Sequence, residues 1–496
     1  MIMTKEEAIV KARVGFEEMI DALERAGREG HTIDRVEEDL WRGILELGRM
    51  LLTSFVADQG SGDMGETIEF ESRTLRRLEE MHRRRYVSVF GEFPIERVVY
   101  GTRETQKHEV VPLDARLGLP ESDFSHLLQK WDLAFCAKNS YQESRASVQE
   151  ILGIGQSVRS LEQMVCSAAA EVAEFRHNQP APPADQEGSL VVLSADCKGV
   201  PMRREDAPGD GGPRGRRRKK GEKANLKRMA CVGAVYTIEP FVRTADDIVE
   251  EILNRSCQSD RPVPQNKLLR AELTRWIERI ELNGKEEVFG WFGEQLGLRN
   301  ADGHKPVVCV MDGEAALWRR LAQQVGPVVG ILDLFHVMEY LWKAAHCFHP
   351  EGSREAEEFV TQRLRKLLLG QVGRVIGGLR QMATKQALRR GAKKTLKQVI
   401  GYFRNNRKFM RYDEYLAAGY PIGSGVAEGA CRHLVKDRME GTGMRWRIPG
   451  AQAMLDLRAV YLNDEWGRFH VSRIEQERQR LYPHRAWIEQ QWPRAA

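Results

Sequence analysis

Two aspartates stand out because each ends an apolar run. SLVVLSADCKGV, residues 189–200, carries Asp196, and KPVVCVMDGE, residues 305–314, carries Asp312. Such runs predict buried strands, and ligands of open α/β sheets collect just beyond the carboxyl ends of strands. Two carboxylates there would repel each other, and a divalent cation would relieve the repulsion. Taken singly, an acid at a strand end is more often a helix cap or a turn residue.

A third acid, Glu428, lies far later in the chain. Its segment, GYPIGSGVAEGACRHLVKDRM, begins as a Gly/Pro loop and continues as a predicted helix. Arg432 and Lys436 follow Glu428 at four and eight residues, so they share much of its helix face. The plain alternative for Glu428 is an ion pair with Arg432, worth about 0.3–0.5 kcal/mol if exposed.

Asp, Asp and Glu on two strands and a late helix are the residues that a two-metal phosphoryl-transfer site requires. One metal lowers the pKa of a water or a 3′-hydroxyl, and the other stabilises the leaving oxygen. The chain has no Walker A, HExxH or GxSxG motif, so nucleotide hydrolysis, zinc-protease and α/β-hydrolase chemistry have no support. We therefore expect Asp196, Asp312 and Glu428 to bind Mg²⁺, with Mn²⁺ as its substitute.

The net charge of +5 hides two basic tracts in the 496 residues. Residues 203–228 carry +7, with RGRRRKKGEK at their centre, and residues 363–411 carry +15 without a single acid. The rest of the chain therefore carries −17. A solvated helix face or a flexible loop would explain one such run. Two runs favour a nucleic-acid partner, because Lys and Arg neutralise phosphates.

Composition excludes several other classes of protein. The chain is 42% hydrophobic and 8% aromatic, which argues against disorder throughout. No apolar run reaches the roughly 18 residues of a membrane span, and the amino terminus is charged where a signal peptide would be apolar. The eight cysteines are scattered and form no CxxC, which predicts reduced thiols. We expect a cytoplasmic, nucleoid-associated protein without a membrane partner.

The sequence of the amino-terminal part predicts helices on either side of a β-hairpin. Residues 5–57 show helical periodicity, and residues 86–102 alternate about a turn at Gly91. In residues 121–176, SYQE predicts a capping box at Ser140, on a helix that ends at Gly153 or Gly155. A second helix begins near Ser157. The pair has the outline of a helix-turn-helix, although many such pairs bind nothing.

The carboxyl-terminal part alternates strands with helices after a Pro-rich linker at 178–189, which predicts an α/β sheet. Residues 228–242 are expected to pair antiparallel with the strand of Asp196. Residues 246–300 are predicted to be largely helical, with a loop at DRPVPQN. In residues 325–346 a strand ends at Asp333 and runs into a helix. A long basic helical insertion follows over residues 351–411.

Several ordered blocks resemble bacterial insertion-sequence transposases of the ISKra type. They are SADCKGV, VMDGE, LDLFHVMEYLWKAAHCFHP, MRYDEYLAAGYPIGSGVAEGACRHLVKDRM and GMRWRIPGAQAMLDLRAVY. The similarity extends upstream through VFGEFPIERVVYG and PLDARLGLP, and so covers roughly residues 80–470. The resemblance implies a DDE transposase, related to the Mutator-like group, with an RNase H-like catalytic core.

By this resemblance Asp196, Asp312 and Glu428 form the catalytic triad, and Asp333 with His336 matches a D-x-x-H pattern. His336 would contact the scissile phosphate or orient the metal ligands; the alternative is a helix histidine hydrogen-bonded to Asp333. Trp446 would stack on an unpaired base, with core packing as the alternative. Cys197 departs from the small residue expected after the first Asp and would crowd the strand end.

The sequence thus predicts a Mg²⁺-dependent enzyme that cleaves the ends of an insertion sequence and joins the 3′-hydroxyl to target DNA. Its partners would be double-stranded DNA and a second copy of the chain. The alternatives are a structure-selective nuclease without strand transfer and a non-catalytic DNA-binding protein. The residues expected at the DNA are Arg216, Arg217, Arg218, Lys219, Lys220, Arg389, Arg390, Lys393, Lys394, Arg432, Lys436 and Trp446.

The predicted organisation is α/β, with an interrupted RNase H-like core preceded by DNA-binding elements. The predicted limits are a helical region at 1–80, a hairpin with helix-turn-helix at 81–177, a linker at 178–188, the first part of the core at 189–350, with the basic loop 203–228, the basic helical insertion at 351–415, the final core helix at 416–470 and a tail at 471–496.

Overall fold

The computed structural model describes residues 5–102, 109–206, 227–254, 260–386 and 388–492 of the chain. The chain forms two compact units, Met1–Phe175 with Glu465–Ala496 and Arg176–Asp464. The predicted linker follows the first boundary directly. The end of the predicted final core helix, from residue 465, and the described part of the predicted tail belong to the first unit.

Strands and helices are numbered in chain order. The strands are β1 (Thr67–Phe70), β2 (Arg73–Arg77), β3 (His82–Ser88), β4 (Gly91–Arg97), β5 (Tyr100–Gly101), β6 (Leu190–Pro201), β7 (Lys227–Ile238), β8 (Gln265–Leu273), β9 (Arg275–Ile277), β10 (Ile280–Leu282), β11 (Val307–Met311) and β12 (Val329–Leu332). The helices are α1 (Lys5–Glu29), α2 (Ile33–Asp58), α3 (Pro112–Leu117), α4 (His126–Lys138), α5 (Tyr141–Leu152), α6 (Val158–Ala170), α7 (Val172–His177), α8 (Ala245–Asn254), α9 (Gly284–Arg299), α10 (Ala315–Gln324), α11 (Leu334–Ala345), α12 (Arg354–Leu368), α13 (Val372–Lys385), α14 (Arg390–Asn406), α15 (Tyr412–Ala417), α16 (Gly425–Ala430), α17 (Asp437–Met439), α18 (Ile448–Leu462), α19 (Trp466–Leu481) and α20 (Arg485–Gln491).

The first unit begins with the helical hairpin of α1 and α2, and the predicted β-hairpin is present as β3 and β4. The predicted helical region at 1–80 is wrong over β1 and β2, which pair antiparallel across a turn with positive φ values at residues 71–72. Helices α1 and α2 cover the stretch with helical periodicity. Strands β3 and β4 pair antiparallel up to Ser88 and Gly91. Gly91 has a φ of 112°, a backbone conformation that favours glycine at this turn.

The predicted pair of helices with a glycine turn is also present in the first unit. Ser140 Oγ accepts a hydrogen bond from the Glu143 amide, and the Glu143 carboxylate accepts one from the Ser140 amide, so the capping box is confirmed. Helix α5 ends at Gly153, whose φ is 68°, and Ser157 caps α6. Helices α4, α5 and α6 pack against one another. Whether this pair binds DNA stays a prediction.

The second unit is built on a mixed five-stranded sheet, so the α/β prediction is confirmed. The strand order is β12-β11-β6-β7-β8. Strands β6, β7 and β8 pair antiparallel, as predicted for β6 and β7, whereas β11 lies parallel to both β6 and β12. The parallel pairs require the long crossovers that the alternating strands and helices supply.

The prediction that residues 246–300 are largely helical is wrong over β8, β9 and β10. Leu269, Leu273, Trp276 and Ile280 lie four, three and four residues apart, which imitates the period of a helix. The chain instead pairs β8 with the free edge of β7. Positive φ values in the β9–β10 turn at 278–279 reverse the chain after β8. Strand pairing across a long sequence distance overrides the local pattern.

Helices cover both faces of this sheet. On one face, α9 and α10 pack on Leu193 of β6 and Cys309 of β11. On the other face, α11 to α15 pack on Val192 and Val310 of the same two strands. The predicted basic insertion is helical, as α12, α13 and α14, and its apolar side belongs to this second core. Among the helices of the described ranges, none has the length and apolar character that a bilayer crossing requires.

Candidate functional site

The sheet brings Asp196 and Asp312 side by side. The parallel ladder between β6 and β11 ends with Ala195 opposite Met311. Asp196 is the next residue of β6, and Asp312 is the first residue after β11. One detail of the prediction is wrong: Asp196 does not end its strand. Strand β6 continues to Pro201, because β7 pairs with it along its whole length. Asp196 therefore lies where the parallel partner stops but the antiparallel partner continues.

Hydrogen bonds orient both carboxylates. Asp196 Oδ1 accepts the Cys197 amide at 2.7 Å, and Oδ2 accepts the Cys431 thiol at 3.4 Å. Asp312 Oδ1 accepts the Glu314 amide at 2.8 Å. No described group donates to Asp312 Oδ2. Each aspartate therefore has a carboxylate oxygen that a cation could bind: Oδ2 of Asp312, and Oδ2 of Asp196, where the cation would replace the weak hydrogen bond from the Cys431 thiol.

The electrostatics of the pair favour a cation. Burial raises the pKa of Asp312, and the negative charge of Asp196 raises it further. The Cys431 thiol stays protonated, because burial raises its pKa and the charge of Asp196 adds to that effect. A divalent cation held by oxygen ligands would remove the repulsion that these two carboxylates create.

Asp333 organises the structure beside the pair. It is fully buried at the start of α11. Its Oδ2 accepts the amide of His336 at 3.1 Å and the ring Nδ1 of His336 at 2.6 Å, and its Oδ1 accepts the Ser424 amide at 2.6 Å. Burial would raise the pKa of Asp333, but the hydrogen bonds from His336 and Ser424 outweigh it and hold the pKa below its usual value. The predicted position of Asp333 between a strand and a helix is confirmed.

His336 carries a positive charge toward the carboxylates. Its hydrogen bond to Asp333 raises its pKa to about 9, against the opposing effect of burial, and the charges of Asp312 and Asp196 add to the increase. The ring is therefore protonated at neutral pH. The Asp333 hydrogen bond was the alternative for His336 in the sequence, and it occurs in the structure. It also leaves the Nε2–H of His336 available to another acceptor.

Glu428 lies on α16, whose chain packs against β6. Glu428 is exposed. It lies one helical turn before Cys431, whose thiol donates a hydrogen bond to Asp196. The alternative ion pair between Glu428 and Arg432 is not formed. Arg432 lies 3.7 Å from Asp437 instead, because residues Cys431–Lys436 form a π-helix, in which positions five apart share a face.

The carboxylate of Glu428 does not form a cluster with those of Asp196 and Asp312 in this conformation. Within the described ranges, no three His, Cys, Asp or Glu side chains are close enough to hold a metal ion. The donor set that the strands assemble is the pair Asp196 and Asp312, with oxygen atoms of the type that Mg²⁺ prefers. Glu428 would have to move toward the two aspartates to complete the set.

Trp446 takes the role of packing that the sequence left as the alternative to stacking on a base. Its ring is buried, its indole N–H donates to the Met439 carbonyl at 3.0 Å, and the Arg438 guanidinium carbon lies 5.1 Å from the ring centre. Its backbone bonds to Pro201 and Arg203 at the end of β6. A base has little of the Trp446 ring to stack on, because these groups already cover it.

The other residues expected at DNA divide into two groups. Residues 216–220, the centre of the first basic tract, lie outside the described residues. The remaining ones, on the helix of Glu428 and around the start of α14, are all exposed. These are Arg389, Arg390, Lys393, Lys394, Arg432 and Lys436. Their exposure permits contact with a ligand, and their DNA binding stays a prediction.

Sequence reasoning missed Gly313 and Tyr402. A Cβ on Gly313 would lie 2.4 Å from the Tyr402 ring, so the residue after Asp312 must be glycine for α14 to pack here. Burial raises the pKa of Tyr402, and the charges of Asp312 and Asp333 contribute. The glycine directly after Asp312 was the available signal. The tyrosine gave none, because it lies 90 residues later on the basic insertion.

Comparison with known proteins adds no family to this description. No protein-family model matches the chain, and no curated protein matches it.

Proposed function

We propose that the second unit is the RNase H-like catalytic core of a Mg²⁺-dependent DNA transposase of the ISKra type. The observation that carries the proposal is the adjacency of Asp196 and Asp312 where β6 and β11 stop pairing. The raised pKa of Asp312 supports a cation between them. A sheet of three antiparallel strands, extended by two parallel strands, is compatible with such a core.

In this proposal Asp196 and Asp312 hold Mg²⁺, and Glu428 joins them from its helix. Bound Mg²⁺ would activate a water or a 3′-hydroxyl and stabilise the leaving oxygen of the phosphodiester. The Asp333 carboxylate fixes Nδ1 of His336, so that the protonated ring presents Nε2–H to an oxygen of the scissile phosphate. The Cys431 thiol orients Asp196 without ionising.

The test is cleavage of DNA by the full chain. Duplexes with the sequences that flank its gene would be incubated with Mg²⁺, and both cleaved and joined products would be measured. Asp312→Asn and Glu428→Gln are expected to lose cleavage while they still bind the duplex. Glu339→Gln is the matched control, because Glu339 is an exposed acid on α11 whose ion pair is with Lys343, at 3.5 Å.

Three outcomes would count against the proposal. Wild-type cleavage by Asp312→Asn or Glu428→Gln would remove these residues from the catalytic set. Cleavage by the wild-type protein without any joined product would favour the structure-selective nuclease. Duplex binding without Mg²⁺-dependent or Mn²⁺-dependent cleavage would favour the non-catalytic DNA-binding protein, in keeping with the exposed position of Glu428.

A further inference from the structure

A second candidate site lies on the face of the sheet that α9 and α10 cover. It is an open cavity of about 850 Å³. Its wall is formed by the start of β7, the end of β8, the first residues of α9 and one side of α10. The sequence gives no sign of this cavity, because its residues come from four elements that are distant in the chain.

The wall of this cavity is strongly basic. It contains five basic residues and one acid. The acid, Glu272, is buried, and its two carboxylate oxygens accept hydrogen bonds from Arg270 and Arg275 at 2.8 and 2.6 Å. Its charge is therefore neutralised inside the protein. The five basic residues are Lys227, Arg228, Lys285, Arg319 and Arg320.

Two of these cations have no acidic partner among the described residues. Arg319 is exposed on α10, and Arg228 donates only to the backbone carbonyls of Asp206 and Thr274. The other three form ion pairs with acids that do not line the cavity. Ion pairs that are partly exposed to solvent are weak, so a phosphate can displace these acids at small cost.

The cavity adjoins the carboxylate edge of the sheet. Lys285 on its wall pairs with Glu314, and the amide of Glu314 donates to Asp312. Cys231, also on the wall, lies opposite Cys197, the neighbour of Asp196 on β6. Because side chains alternate along β6, Cys197 faces the cavity and Asp196 points to the other face of the sheet. A polyanion that lies in the cavity therefore reaches the two aspartates by passing over the edge of the sheet at which β11 ends.

The chemistry of the wall favours phosphates over a nucleoside. The residues found on the wall include no aromatic side chain on which a base could stack, and the cations come from three elements, β7, α9 and α10. Lys227 and Arg228 are also the last two residues of the first basic tract. A chain of phosphates matches such a spread of charge better than a single phosphate does.

We propose that this cavity binds the phosphate backbone of the DNA strand that leads to Asp196 and Asp312. The inference rests on the proposed function, since it assigns the path of the substrate to the same site. The contacts are to phosphates, so they hold and orient the strand without reading its sequence.

The experiment measures binding of a fluorescein-labelled single strand of DNA by fluorescence anisotropy, over a series of salt concentrations in EDTA. Arg319→Gln/Lys227→Gln removes two phosphate contacts. Because each contact contributes about 0.7 to the slope of log affinity against log salt, the slope is expected to flatten by about 1.4. Arg319→Glu changes the charge by the same amount at a single exposed position, so it should also weaken binding, and its melting temperature verifies folding.

The control is Arg354→Gln/Lys343→Gln, which removes the same charge from two exposed residues of α11 and α12 in i,i+4 ion pairs. It should keep the wild-type slope. A wild-type slope in the Arg319 and Lys227 variant, or an equal change in the control, would overturn the proposal. Competition by deoxyadenosine monophosphate as strong as that by the strand would also overturn it, in favour of a nucleotide site.

The binding measurement is independent of cleavage, so the two proposals can fail separately. A flattened slope in a protein that never cuts DNA would keep the cavity and reject the transposase. An unchanged slope in a protein that cuts and joins DNA would reject the cavity and keep the transposase. Absence of single-strand binding by the wild-type protein would reject the cavity outright.

Discussion

The sheet of the second unit has an acidic edge and a basic cavity on one face, and the two are built differently. At the edge, Asp196, Asp312 and Asp333 are held by short hydrogen bonds from backbone amides and from neighbouring side chains. In the cavity, Lys227 and Arg319 are long, exposed side chains. The carboxylates at the edge are therefore held in fixed orientations, whereas the basic side chains of the cavity can change conformation to meet a ligand.

This difference matches two different tasks. A reacting phosphate must be placed within a fraction of an ångström, which requires side chains whose orientation other groups lock. A strand that is only held in place needs positive charge along its path. The two regions meet at the ion pair of Lys285 with Glu314, two residues after Asp312.

The largest effect should follow from loss of Asp333. Asp333→Ala removes a fully buried carboxylate that bonds both His336 and Ser424, so it leaves a protonated imidazole without its partner. We expect a loss of about 3–5 kcal/mol in the free energy of unfolding, measured by urea denaturation. Asp333→Asn, which keeps one acceptor oxygen, should lose less. A loss under about 1 kcal/mol in Asp333→Ala would mean that the edge is not locked.

The next effect concerns pH. The folded pKa of His336, about 9, lies above its unfolded value, so its contribution to stability is complete below pH 6.5 and is lost as the pH rises through 9. The groups that face His336 are Asp333, Asp312 and Asp196. NMR titration of labelled histidines should give a pKa near 9, which Asp333→Asn should lower.

The melting temperature provides a check on the same point. It should fall between pH 6.5 and 9 by more in the wild-type protein than in His336→Asn. His304→Asn is the matched control, since His304 is exposed, and it should keep the wild-type profile. Equal profiles in His336→Asn and the wild-type protein would contradict the assigned charge.

A smaller effect should follow from Gly313→Ala. The added methyl would lie 2.4 Å from the Tyr402 ring, so α14 must shift from the strand end, at a cost of about 1–3 kcal/mol in unfolding free energy. Gly290→Ala is the control, because a Cβ there meets no atom within 4 Å and helix α9 should gain about 0.5–1 kcal/mol. Similar losses in both variants would show that Tyr402 can move away freely.

The smallest effect on stability is expected at the junction of the two regions. Glu314→Gln breaks the ion pair with Lys285, and because both side chains are partly exposed the loss should stay under about 1 kcal/mol. Lys285 is then free for phosphate, so single-strand binding should become tighter. Glu339→Gln should leave DNA affinity closer to that of the wild-type protein. Unchanged affinity in Glu314→Gln would separate Lys285 from the DNA path.

Much of the local structure was predictable from sequence. The capping box at Ser140, the hairpin turn at Gly91 and the start of α11 at Asp333 depend on residues that are close in the chain. Strand β8 was not predictable in this way, because its leucines have helical spacing and only the edge of β7 makes the segment a strand. The same limit applies to the π-helix after Glu428, which moves Arg432 to Asp437.

The candidate site was predictable only in part. The aspartates Asp196 and Asp312 were identified because each follows an apolar run, and the parallel ladder places them together. The hydrogen bond between Asp333 and His336 follows from their spacing of three residues. The exposure of Glu428 did not follow from the sequence, and the sequence left open whether Trp446 packs in the core or stacks on a base, because both depend on how the last helices pack on the sheet.

By itself, the sequence determined the α/β alternation, the acids at the strands, the helix caps and the uneven distribution of charge along the chain. Only the tertiary structure decided that β8 is a strand, that Tyr402 packs beside Asp312, and that basic residues of β7, α9 and α10 share one cavity. The physical reason is distance along the chain. Periodicity and capping act within a few residues, whereas pairing and packing join elements whose separation no local pattern records.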